Sequence, residues 1–123
     1  MQENPQIAKH EKLIAKLALG TVQFGLNYGI SNDSGQTSKL EVKKILEEAL
    51  SFGVQTIDTA RAYGNSEDIL GQTGVHQFDV VTKLNPTEFH KLSVNDQVQN
   101  SLQKLNVEYL YGVLFHNAES ALT

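Results

Sequence analysis

The chain has 123 residues, 40% of them hydrophobic, and a formal charge of −4, which fits one ordinary domain with a modest core. No basic run points to nucleic acid or an anionic membrane, no apolar run approaches the roughly 18 residues of a membrane span, and the N-terminus lacks the apolar stretch of a secretory signal. With no cysteine there are no disulfides and no thiolate metal sites, so a cytoplasmic protein without a bound metal is expected.

Residues 1–15 read as a polar N-terminal extension, the first dozen frayed or loosely docked. Residues 16–20 (KLALG) read as a short buried strand ended by Gly20. Residues 21–37, with several glycines and turn formers, read as a long loop of the kind usually kept for function. Ser38 with Glu41 makes a capping-box pattern at a helix start, and Val42, Ile45, Leu46, Ala49 and Leu50 recur on one face. Gly53 suits the left-handed position after that helix. Residues 54–58 (VQTID) form a second strand. Asn65 and Asp68 open a second helix, SEDILGQ, closing near Gly71 or Gly74. Residues 78–84 (FDVVTKL) form a third strand, broken by Pro86. Ser93 with Asp96 starts a third helix whose stripe is Val94, Val98, Leu102 and Leu105, and residues 108–117 form a fourth strand. The charged run from Glu41 to Glu48 is a solvent face, and His10, His76 and His90 read as solvated.

Strand and helix alternate in units of roughly 30 residues, the pattern of an α/β protein with a parallel sheet. The apolar strand cores imply that both sheet faces are covered. The segment from Gly20 to Gly25 has neither G-x-G-x-x-G nor Gly-Lys-Ser/Thr spacing, which favours a barrel over an open nucleotide-binding sheet. A whole (β/α)₈ barrel needs about 250 residues. Residues 16–123 are therefore expected to be an incomplete barrel domain, roughly the first four strands and three helices, and the chain a fragment of a longer protein.

Three strands carry a polar group at the C-terminal end: Asp58, Lys83 and His116, with Tyr63 on the loop past Asp58. Strand C-termini share one rim in a parallel α/β fold, and sites sit there. At about 4.8 Å per strand the three should lie within roughly 10 Å of one another. A phenol is a weak acid at neutral pH, and a neighbouring ammonium favours its phenolate. Asp58 can hold Lys83 charged and oriented, and His116 can bond a substrate oxygen. Tyr63 then becomes a general acid aimed at a carbonyl oxygen. Asp58 alone could simply cap its loop; Arg61 reads as a surface residue; Gly64 and Gly71 read as turn glycines.

The segments LALGTVQFG, GVQTIDTARAYGNSEDILG, VVTKL and VLFHN, from about Lys16 to the C-terminus, resemble the N-terminal half of an aldo-keto reductase. Residues 19–32 are similar to bacterial members encoded beside surface-polysaccharide genes. The resemblance implies an active-site quartet of Asp58, Tyr63, Lys83 and His116, and hydride transfer from NADPH, with NADH as the alternative, to a small aldehyde or ketone. Gly20, Thr21 and Asp58 would lie at the nicotinamide and ribose. The family grips the rest of its cofactor mostly from its second half. The alternative is a regulatory subunit or an inactive half-barrel that associates with itself through open sheet edges.

Overall fold

The computed structural model describes residues 4–29, 32 and 35–122. Strands β1 (Ala18–Gly20), β2 (Thr56–Asp58), β3 (Asp79–Leu84) and β4 (Gly112–Phe115) form one parallel sheet in sequential order. Gly20 pairs with Asp58, Asp58 with Val81, and Lys83 with Leu114. A doubly wound sheet reverses its strand order at a switch point. Strictly sequential order without reversal is that of one half of a (β/α)₈ barrel. The strands are shorter than the sequence suggests; β1, β2 and β3 end where expected, but β4, expected over 108–117, stops at Phe115, whose pairing with Leu84 is the last in the register, and leaves His116 just beyond its end.

Helix α1 (Pro5–Ile14) occupies the segment expected to be frayed. It has a start signal: the Asn4 side chain accepts the Gln6 N–H at 3.0 Å, with proline at the first helical position. A second departure is α2 (Val22–Gly25), one turn of helix inside the expected loop, anchored by buried Phe24. Within that loop, Ile30, Ser31, Asp33 and Ser34 lie outside the described residues. Helix α3 (Lys39–Ser51) begins as expected, Ser38 accepting the Glu41 N–H at 3.3 Å, and Gly53 beyond it has φ +91°. Helix α4 (Ser66–Thr73) ends at Gly74, φ +101°. Asn65 does not cap it with its side chain; its Oδ1 accepts from Gln36 Nε2 instead. A 3₁₀ turn (Pro86–Glu88) follows β3. Helix α5 (Val94–Leu105) has both halves of a capping box between Ser93 and Asp96. The chain then enters α6 (Ala118–Leu122).

The core lies between the outer face of the sheet and α3–α5. Ile57 and Val80 pack with Val42 and Leu46 of α3, Ile69 and Leu70 of α4, and Leu105 of α5. β3 alternates buried and half-exposed residues, the exposed set being Asp79, Val81 and Lys83. The expectation that both sheet faces are covered is thus corrected: the inner face is open, with Leu114 of β4 exposed on it beside Lys83, and Val113 and Phe115 on the other face of β4 are exposed as well. The stripe on α5 is also corrected. Val94 is exposed, and the completely buried positions are Gln97, Ser101 and Leu105, one face turned by about one residue. The reason lies beneath the rim, where polar groups need partners. Gln97 accepts the Asn85 N–H at 2.8 Å and donates to the Asn85 carbonyl at 3.2 Å. His76 and His90 are exposed, as is the charged run of α3; the His10 side chain lies outside the described set.

Candidate active site

Strand periodicity decides which groups meet. Side chains two apart share a face, so Val81 and Lys83 point inward while Thr82 points toward the helices, where it is buried. Asp58 ends β2 on the inner face, next to Val81 in register. Lys83, two residues further along, reaches back to it. Its Nζ donates to Asp58 Oδ1 at 2.8 Å, Asp58 Oδ2 at 2.9 Å and the Thr59 carbonyl at 2.9 Å. An ammonium has three protons, and these three bonds account for them. The Tyr63 hydroxyl is the fourth neighbour, 3.4 Å away, and the ammonium also lies 5.0 Å from the Tyr63 ring centre. His116, one residue past β4, meets the same ring edge to face, centroids 5.9 Å apart and planes at 85°. Asp58, Lys83, Tyr63 and His116 therefore converge on one patch of the rim.

Backbone contacts seat the Tyr63 loop. A Cβ on Gly25 would sit 1.7 Å from the Tyr63 carbonyl oxygen and 2.6 Å from the Ser66 nitrogen, so α2 lies directly on the loop. Gly64 answers from the other side with φ +58° and the Gly25 carbonyl against its Cα. A turn is part of its role, as the sequence suggests; close approach is the rest. Gly71, expected at a turn, is corrected: it sits inside α4, where the α5 backbone at Lys104 crosses too closely for any side chain.

Beneath the rim runs a set of buried hydroxyls. Ser66 Oγ lies 3.1 Å from Thr59 Oγ1 and donates to Thr21 at 3.1 Å. Thr21 Oγ1 in turn donates to the Asp58 carbonyl at 3.0 Å. The N-terminus of α4 thereby fastens the ends of β1 and β2 together. Glu67 adds β3, accepting from Thr82 Oγ1 at 2.8 Å; its other oxygen is buried without a hydrogen-bond partner among the described residues. Thr21 is fully buried, its hydroxyl turned into this network, whereas Gly20 has open space above its Cα.

Arg61 is not the surface residue the sequence suggests. It is 8% exposed. Its guanidinium grips Glu88 through Nε at 3.0 Å and Nη2 at 3.2 Å. Nη1 donates to the Gln97 carbonyl, Asn100 Oδ1 and Ser101 Oγ at 3.0–3.1 Å. A cleft of about 300 Å³ opens over the patch, lined by Val22, Leu26, Tyr28, Ala62, Tyr63 and His116.

A rim of this composition on sequential parallel strands can be compared with known proteins. The family model of the Aldo/keto reductase family matches residues 16–123. The chain belongs to that family. An aldo-keto reductase of Mycolicibacterium vanbaalenii is 32% identical over 87 residues, which takes in 67% of this chain and 31% of that protein. Among solved structures, an aldo-keto reductase from Pseudomonas aeruginosa superposes with a TM-score of 0.65 at 29% identity, covering 82% of this chain and 42% of that one. An aldo-keto reductase from Klebsiella pneumoniae, solved in complex with NADPH, gives 0.61 at 25% identity over 80% of this chain and 34% of that one. This aldo-keto reductase chain thus spans less than half the length of these relatives. Among the described residues, no helix is long and apolar enough to cross a membrane.

Open space above Gly20 and the cleft beside Tyr63 suit the flat end of a nicotinamide dinucleotide. The cleft lining holds no lysine or arginine, so the phosphates find no permanent positive charge there. The fit is to one end of the cofactor.

Proposed function

We propose that this chain carries the proton-donor half of an oxidoreductase that reduces a small aldehyde or ketone with hydride from NADPH, or alternatively NADH. The observation that supports it is Lys83: one ammonium tied to the Asp58 carboxylate and lying beside the Tyr63 hydroxyl. When bound, the cofactor supplies the hydride. The chain supplies the rest. Tyr63 donates the phenolic proton to the carbonyl oxygen as negative charge builds there. Lys83 stabilises the phenolate left behind. Asp58 holds the ammonium in place beside the phenol. His116, edge-on to Tyr63, orients the substrate oxygen. Gly20 leaves room for the nicotinamide side, and Thr21 steadies the Asp58 backbone beneath it. Val22, Leu26 and Tyr28 wall off water from the apolar part of the substrate. Residues 16–123 form the barrel portion, and the cytoplasm is the compartment in which the reaction takes place.

The test is Tyr63→Phe in the intact protein, followed as carbonyl-dependent loss of NADPH fluorescence with an aromatic aldehyde as substrate. Turnover should fall by about 10²–10⁴, the range for losing a general acid, with NADPH binding retained. Wild-type rates in the variant would end the assignment. A second reading rests on the exposed Val113, Leu114 and Phe115: the chain serves as a half-barrel whose open edge pairs with another polypeptide, without turnover of its own.

A further inference from the structure

Arg61 is buried, fully engaged and unused by the chemistry above. It lies two residues before Tyr63, yet every side-chain partner is at least 27 positions downstream. One partner, Glu88, is followed directly by Phe89. The Phe89 ring packs edge-on against Phe115, centroids 6.3 Å apart at 64°. Phe115 immediately precedes His116. Its pairing with Leu84 is the last in the β3–β4 register, so His116 stands just beyond the point where strand pairing holds β4. β4 is also an edge of the described sheet. The placement of His116 thus depends on what holds Phe115, and Phe89 does so from the loop that Arg61 grips.

We propose that Arg61 is a positioning residue that sets the separation of the Tyr63 phenol and the His116 imidazole. One arm of the linkage is its own backbone in the Tyr63 loop, where Arg61 N–H donates to the Lys83 carbonyl at 3.2 Å. The other runs from its guanidinium through Glu88 and Phe89 to Phe115. Arginine suits the task because its planar fork fixes direction as well as distance, whereas a lysine ammonium would hold Glu88 without orienting it. Sub-ångström slack here falls directly on the geometry of proton donation.

The kinetic arm of the test rests on the function proposed above; the spectroscopic arm does not. In the intact protein, Arg61→Met and Phe89→Leu should each lower kcat by about a hundredfold, the cost of misplacement on the ångström scale, with KM for the carbonyl unchanged. Arg61→Lys should fail to rescue. In the same variants the nuclear Overhauser contact between the Tyr63 ring and the His116 imidazole should weaken or vanish. Ser38→Ala, which removes the cap of α3, a helix that carries no partner of Arg61, should keep both kcat and that contact. Folded Arg61→Met or Phe89→Leu protein with the Tyr63–His116 contact intact overturns the proposal, and so does a fall in thermal stability with kcat unchanged. If Arg61→Met does not fold, Phe89→Leu, which leaves the guanidinium network whole, decides alone. Should Tyr63→Phe prove kinetically silent, the reductase reading fails while the Overhauser measurement still judges Arg61.

Discussion

Replacing Gly71 by alanine is expected to destabilise the protein by about 3 kcal/mol, although alanine is the better helix former. The added Cβ would lie 1.9 Å from the Lys104 carbonyl oxygen, 2.9 Å from its carbon and 3.0 Å from the Leu105 carbon, whereas ordinary contact begins at 3.4 Å. The difference, 3.4 − 1.9 = 1.5 Å, must come from moving the last turn of α5 off α4. These are backbone atoms, so no side chain can swing aside. Forcing an extra methyl into such a contact costs about 3 kcal/mol, the upper part of the usual overpacking range. Leu70 and Leu105, both fully buried, flank this contact, and partly reopening them costs about 1 kcal/mol more. Helix propensity returns about 1 kcal/mol. Urea unfolding followed by circular dichroism measures the balance. At a slope near 2 kcal/mol/M, the midpoint should drop by about 1.5 M. A midpoint that rises, as propensity alone dictates, would refute the close-packing account of Gly71.

Gly25→Ala places its Cβ 1.7 Å from the Tyr63 carbonyl oxygen, so it should displace the loop bearing the proposed acid. Turnover, followed by NADPH fluorescence, should fall by about a hundredfold, with melting lowered at least as much as by Gly71→Ala, since this backbone clash is closer still. Ser93→Ala removes the hydroxyl that accepts the Asp96 N–H at 3.1 Å. It should cost about 1 kcal/mol, read as a melting temperature lowered by a few degrees.

The sequence revealed the parts of this fold that rest on local periodicity or on a short-range cap. α3 shows both, with Ser38 at its start and a stripe that packs as expected. The strand ends were legible because a polar residue closing an apolar run is unusual, and Asp58, Lys83 and His116 each stand out in this way. What was hidden depended on distant partners. Arg61 looks like any loop arginine until Glu88 and α5 fold against it. Gly71 looks like a turn glycine because nothing nearby shows that Lys104 crosses over it. The α5 stripe departs from apolar spacing for a related reason. Apolar spacing points to Val94, but burial there follows the polar needs of Asn85 and Arg61, which select Gln97 and Ser101. α1 lies in the N-terminal segment that the sequence suggests is frayed, though Asn4 and Pro5 mark its start.

The Lys83 side chain is only 15% exposed, and its nitrogen is caged by a carboxylate, a carbonyl and a phenol. Amine-directed reagents should therefore modify exposed residues such as Lys43, Lys44 and Lys91 well before they reach it. Delayed labelling at this one lysine becomes a footprint of an assembled rim. Early labelling would single out molecules in which the carboxylate has let go, giving a chemical count of competent sites that needs neither substrate nor coenzyme.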